Sequence, residues 1–119
     1  MSPDDDVIGM LPLPLATFHI LMSLAAEERH GYGIIQDVEV RTGGDLRLSP
    51  GTLYRSIQRM QEQGLLVESR RRPAAALDDP RRRYYRITAF GSEVAQAEAS
   101  RMAELVRLAK ASGFAPGRA

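Results

Sequence analysis

Arg55 and Arg59, together with Thr52, Ser56, Gln58 and Gln63, share one arc of a segment from Ser49 to Gly64 that reads as a helix. Arginine, glutamine and threonine hydrogen-bond to base edges and phosphates, so the chemistry on offer is recognition of nucleic acid rather than bond-making. The arc holds two arginines, and its single acid, Glu62, stands near the far end. The positive end of the helix dipole and both cations therefore favour a polyanion. Catalysis is thinly provided for. His19 and His30 are the only histidines, cysteine is absent, and no glycine-rich phosphate loop follows a strand. His19 lies within an apolar helical run and reads as a core or interface residue, and no grouping of ligands suggests a zinc site.

The elements that hold this arc are legible around it. Ser49 is a good N-cap, Pro50 suits the first helical position, and Gly64 supplies the positive φ that ends a helix. Leu53, Ile57 and Met60 form one narrow apolar stripe. Residues 65–70 and 83–87 read as two strands. The connection between them is too long for a tight turn and carries arginines at both ends, so it reads as an extended hairpin loop. A helix followed by such a hairpin is a winged helix. Its wing arginines, Arg81, Arg82 and Arg83, suit the DNA backbone or the minor groove, while Asp78 and Asp79 temper the charge. Tyr84 and Tyr85 alternate across the second strand, which predicts one in the core and one facing outward.

Upstream, Pro14 to about Glu28 is almost continuously apolar and predicts a helix buried on several sides. Gly31–Thr42 predicts a second helix, with Tyr32, Ile35 and Val38 at spacing three, stopped by Gly43-Gly44. Downstream, Thr88 is an expected N-cap for a long helix to Ala111, ended by Ser112-Gly113. Its apolar stripe exceeds what a three-helix winged domain can cover. Packing back on its own domain is one outcome; the reading favoured here is pairing with a second chain through Leu15, Val94, Met102, Leu105, Val106 and Leu108. The expected fold class is mainly α with a small β-hairpin, a winged helix-turn-helix plus a long C-terminal helix. Residues 1–13 and 112–119 are expected to be flexible tails, 14–87 the DNA-binding domain and 88–111 the dimerisation helix.

At 119 residues the chain is expected to be one domain. The net charge of +1 hides an asymmetry: residues 1–40 carry seven acids and one base, residues 41–87 eleven bases and five acids. Local field rather than total charge governs approach to DNA. No apolar run is long enough for a membrane span, and three aspartates with no preceding basic region argue against a secretory signal, so a cytoplasmic location is expected. Fifteen arginines against one lysine, with abundant alanine, point to a GC-rich bacterial genome.

With the elements assigned, four strings in order resemble the PadR family of transcriptional regulators over roughly residues 15–110. They are His30-Gly31-Tyr32-Gly33-Ile34-Ile35, Leu48-Ser49-Pro50-Gly51-Thr52-Leu53-Tyr54, Gln63-Gly64-Leu65-Leu66, and Arg82-Arg83-Tyr84-Tyr85-Arg86-Ile87-Thr88 with Gly91. Gly33 stands where the family usually has an acidic or polar residue, which loosens the start of the second helix. The single C-terminal helix resembles the compact branch of the family. The resemblance implies a homodimeric repressor that binds double-stranded DNA at a palindromic operator and releases it for a small, often aromatic or hydrophobic, effector, with no cofactor. Carried over, Ser49, Thr52, Tyr54, Arg55, Ser56 and Arg59 would meet DNA, Tyr54 through phosphate, with Arg81, Arg82 and Arg83 on the wing. Phe18, Met22 and Met102 are candidate effector-lining residues, although such residues at helical spacing also serve as plain core. The chain has no Trp, and its last helix has no aromatic between Phe90 and Phe114, which argues against a stacking pocket. A competing class, a winged interaction module that has lost DNA binding, is disfavoured by the intact arginine set.

Overall fold

The computed structural model describes residues 3–70 and 82–117. In chain order its elements are α1 (Pro3–Gly9), α2 (Leu15–Ala26), β1 (Arg29–His30), α3 (Gly31–Arg41), α4 (Pro50–Glu62), β2 (Leu66–Ser69), β3 (Tyr84–Ile87) and α5 (Ala89–Ala111). This is the mostly helical winged fold that the sequence predicts. The loop between the hairpin strands, with Arg81, lies outside the described residues.

The core is built around α2, which packs against α3, α4, α5 and β3. Thr17, Ile20, Leu21 and Leu24 are buried along one face, with Phe18 and Ser23 buried on either flank of it, so the helix has little polar surface because little of it meets water. Helix α3 contributes Ile34 and Val38; Ile35 is half-buried and Tyr32 is exposed, so only part of its expected apolar set faces inward. The turn from α3 to α4 is organised by Thr42. Its hydroxyl donates to the Val38 carbonyl at 2.9 Å and accepts the Leu46 amide at 3.0 Å, while Gly43 and Gly44 take φ of 61° and 87°.

The sheet departs from a simple hairpin. It has three antiparallel strands in the order β1-β3-β2, with Arg29 opposite Tyr85, His30 opposite Tyr84, and Leu66 opposite Ile87. Both Tyr84 and Tyr85 are buried, which corrects the expectation that one faces outward. Alternation still places them on opposite faces; Tyr85 joins the core, and Tyr84 is covered by the His30 ring in an edge-on contact at 5.3 Å.

The N-terminal segment, expected as a tail over residues 1–13, is also corrected. Helix α1 packs on α5, with Val7 and Leu13 buried. The anchor is Glu98, fully buried on the stripe of α5 that also holds Gly91 and Val94. One Glu98 oxygen accepts the Leu13 backbone N–H at 2.8 Å and the other pairs with Arg101. Val94, expected at a dimer interface, belongs to this core instead, because α1 and α2 cover the first half of α5.

The start of α5 is pinned to the end of α4. Thr88 caps the helix by accepting the Gly91 amide at 2.9 Å and donates to the Gly64 carbonyl at 2.6 Å. Gly91 lies so close to the Leu65 backbone carbonyl that any Cβ would collide with it.

The Arg101 hydrogen bond holds the Glu98 carboxyl below its usual range against the opposing effect of burial, and the Leu13 N–H adds to it. A lowered folded pKa stabilises fully above the ordinary glutamate range and is lost as pH falls through that range to the folded value. Glu98→Ala, which orphans the Leu13 N–H, is expected to cost about 1–3 kcal/mol at neutral pH. Thermal unfolding of wild type and variant should show the difference narrowing on acidification; a pH-independent difference would mean that the carboxylate charge contributes nothing.

Candidate nucleic-acid interface

Helix α4 is set by its own ends. Ser49 Oγ accepts the Thr52 amide at 3.1 Å, Pro50 occupies the first turn, and Gly64 takes φ of 76° just beyond the end. Leu53, Ile57 and Met60 are 0–2% exposed, so the stripe read from the sequence is the face that packs. Rotation about the helix axis is thereby fixed, and the opposite arc is presented to solvent.

On that arc Tyr54, Arg55, Gln58 and Arg59 are exposed and Thr52 and Ser56 half-exposed. Ser49 donates to Thr52 Oγ1 at 3.0 Å, and Arg55 Nη2 reaches the same oxygen at 3.5 Å, which lays the guanidinium along the first turn. A cleft lies on either side of the helix. One, of about 420 Å³, runs between the start of α2 and α4 and is lined by Pro14, Thr17, Arg55, Ser56, Gln58, Arg59 and Glu62. The other, of about 500 Å³, lies between α4, the start of α3 and β3, where Tyr54 meets His30, Tyr32, Arg82, Arg83 and Tyr85. Burial pushes the Tyr85 phenol up, with Tyr54 and Glu68 acting in the same direction, so its hydroxyl stays neutral.

The arginines divide into two sets. Arg29, Arg41, Arg47, Arg101 and Arg107 pair with Glu27 and Asp37, with Asp37, with Glu39, with Glu98 and with Glu104. Arg55 and Arg59 on α4, and Arg83 and Arg86 at β3, form no ion pair among the described residues. Most of the acidic N-terminal third that engages arginine does so around α3; among the described residues, cations without an ion pair stand on α4 and at the base of the wing, with Lys110 near the end of α5.

The model of the transcriptional regulator PadR-like family matches residues 20–97. The chain belongs to the PadR family. Transcriptional regulator Rv3488 of Mycobacterium tuberculosis is 37% identical over 89 residues, covering 75% of this chain and 77% of that protein. A crystal structure of a PadR family transcription regulator from Clostridium difficile superposes with a TM-score of 0.70 at 20% identity, over 85% of this chain and 100% of the other. A transcriptional regulator from Clostridium thermocellum gives 0.68 at 21% identity, over 92% and 95%. At those identities the structures establish the shared fold. Family membership makes the chain a transcriptional regulator and not an enzyme. No helix among the described residues is long and apolar enough to cross a membrane.

Of the residues singled out in the sequence, Ser49, Thr52, Tyr54, Arg55, Ser56 and Arg59 all lie on α4 or its cap, and Arg82 and Arg83 lie beside Tyr54. Phe18 packs within the core and Met22 and Met102 against it; neither cleft beside α4 is lined by them. His30, Tyr32 and Tyr85 enter the second cleft although sequence reasoning gives them no such role; His30 and Tyr32 do stand in the string that resembles the family.

Gly31 seats the Tyr54 ring, because a Cβ there would collide with the ring and its hydroxyl. That obstacle is the far end of a side chain that can swing, whereas Gly91 faces fixed backbone. Gly31→Ala should therefore displace the Tyr54 ring at a cost within about 1 kcal/mol, and Gly91→Ala should cost about 1–3 kcal/mol. Denaturant unfolding of the two variants checks the order; equal losses would show that Tyr54 is as fixed as the backbone.

Proposed function

We propose that the chain is a homodimeric repressor that grips a palindromic operator through α4 and the wing and is released from it by a small aromatic or hydrophobic effector. The observation that carries the reading is the division of α4: a fully buried apolar stripe inside, and Arg55 and Arg59 outside with no internal counter-charge among the described residues. Arg59 and Arg55 would address base edges and phosphates in the major groove, with Ser49, Thr52 and Ser56 at the helix start and Tyr54, Arg82 and Arg83 toward the backbone. Arg81, assigned to the wing in the sequence, lies outside the described residues.

The dimer reading is supported by the distal half of α5. Leu105, Val106 and Leu108 are 51%, 43% and 47% exposed, and Leu15 is 61% exposed. An exposed apolar set of this kind marks an interaction surface, and a second copy with twofold symmetry would present two α4 helices to successive turns of DNA. Met102 stands where the covered half of α5 gives way to the exposed half. An effector that opened the packing at Phe18, Met22 and Met102 would displace α5, and the junction at Thr88 would carry the end of α4 with it, changing the spacing of the two recognition helices. The family resemblance is what supports repression in this reading.

The test is binding of purified protein to fluorescent upstream intergenic DNA, with salt and competitor varied and oligomeric state recorded by sedimentation. Saturable binding by a dimer that outcompetes random DNA is expected. Arg59→Ala should cost about 1–3 kcal/mol of operator affinity without unfolding. Leu105→Asp should give monomers with poor operator affinity; a variant that still sediments as a dimer would place the interface elsewhere.

A further inference from the structure

The cleft between the start of α2 and α4 holds a hydroxyl with nothing to bond to. Thr17 is only 6% exposed, yet its hydroxyl forms no hydrogen bond among the described residues, and its oxygen is not sealed from the cleft. A nearly enclosed hydroxyl without a protein partner is available to a molecule that occupies the space beside it. The helix that carries it is open at the same end. Pro14, the N-cap of α2, makes no side-chain capping bond, and the first turn holds no acid. The amides of Leu15, Ala16 and Thr17 therefore have no acceptor among the described residues, and they carry the positive end of the helix dipole. Pro14 and Thr17 both line the cleft, which places that end at its wall. Opposite them stand Arg55 and Arg59, neither in an ion pair among the described residues. Two cations, a hydroxyl and an uncapped helix start lining one space are the donor set for an oxyanion.

The remaining wall bears on what that oxyanion is attached to. Glu62 lines the same cleft three residues beyond Arg59 and pairs with no cation among the described residues. A carboxylate there repels a second phosphate and accepts from hydroxyl groups, which disfavours a polyanionic strand and favours a small molecule with one anionic end and a hydrogen-bond-donating body. A phosphate monoester, with three terminal oxygens and close to two charges, matches two arginines and a hydroxyl better than a carboxylate does. At about 420 Å³ the cleft has the size of a small-molecule site. We propose that it binds a small organic phosphate bearing hydroxyl groups, with the phosphate at Thr17, Arg55 and Arg59 and the hydroxyls toward Glu62, and that this ligand competes directly with DNA. The competition rests on the DNA-binding reading of α4, because the ligand engages the same Arg55 and Arg59. The site is separate from the packing at Phe18, Met22 and Met102 and needs no displacement of α5.

The test uses the full chain and two probes, ribose 5-phosphate and inorganic phosphate, at constant ionic strength. Without DNA, ribose 5-phosphate should saturate below about 1 mM and shift the amide resonances of Leu15, Ala16 and Thr17. Inorganic phosphate, which offers Glu62 no sugar hydroxyl, should bind about tenfold more weakly, and Glu62→Gln should erase that difference. Thr17→Val keeps the buried shape and removes the hydroxyl; it should weaken both probes roughly tenfold while circular dichroism and DNA affinity stay those of the wild type. On a fluorescent duplex of the chain's upstream intergenic DNA, the apparent Kd should rise linearly with ribose 5-phosphate. A chain that binds the duplex but neither probe, or binds both probes equally well with Thr17→Val, would overturn the site and leave the DNA reading intact. A chain that takes up the probes as expected but binds neither this duplex nor a random one would overturn the DNA reading and the competition with it. Equal weakening of both duplexes by Thr17→Val, with neither probe bound, would overturn the small ligand and assign the cleft to a phosphate of the DNA backbone.

Discussion

Burial of Leu53, Ile57 and Met60 is the constraint on which the rest depends. Each side chain contributes on the order of 1.5–3 kcal/mol when removed from water, and together they allow α4 only one rotation about its axis. The face on which each polar residue of the helix stands is then set by the 3.6-residue repeat. Arg55 and Arg59 need no internal partner to be positioned, which leaves their charge available. A helix held by ion pairs on its outer face would have had to break them, at a desolvation cost, before meeting another molecule.

That rigid helix is joined to the C-terminal helix by backbone as much as by side chains. Gly64 ends α4, the Thr88 hydroxyl donates to the Gly64 carbonyl, and Gly91 presses on the Leu65 carbonyl. The junction has little freedom, because two of its surfaces are main chain and the third is a hydroxyl with both its roles in use. Displacement of α5 therefore carries the end of α4 with it. At the other end of the covered stretch, Glu98 ties α5 to Leu13 and hence to the start of α2. The first three turns of α5 are in this way fixed to the unit built by α2, α4 and the sheet, and the remaining turns extend beyond it.

Much of this arrangement is legible in the amino-acid sequence, and the reasons are physical. The stripe and caps of α4, the stop at Gly43-Gly44 and the cap at Thr88 are local, since each depends on residues within one or two turns. What is illegible there is nonlocal. β1 is two residues long and shows no periodicity, so only its pairing with β3 reveals it, and burial of Tyr84 follows from that pairing. Helix α1 reads as a tail because seven residues with several acids form no stable helix alone; packing on α5 supplies what propensity does not. Val94 and Leu105 belong to one apolar stripe by spacing, yet one lies under α1 and α2 and the other is exposed. Nothing in a helical repeat says where a neighbouring helix ends. Glu98 carries a usable signal, a charged residue four positions after Val94 on the same stripe, but its partner at Leu13 is too far away in sequence to infer.

The net charge of +1 is the least informative number about this chain, and the reason lies in how its charges are paired. The acids around α3 engage Arg29, Arg41 and Arg47, arginines that would otherwise spread positive potential over the whole surface. Such pairs add little stability where they are exposed. Their effect is on the shape of the field: they cancel charge around α3, and Arg55 and Arg59 on α4, with Arg83 beside Tyr54, keep theirs. An excess of cations on one face attracts a polyanion and orients it on approach, whereas the same charge distributed evenly would attract without orienting. The arginines paired within the protein and those left on α4 and beside Tyr54 together set the shape of the field around α4, and the acids of the N-terminal third are part of that shape.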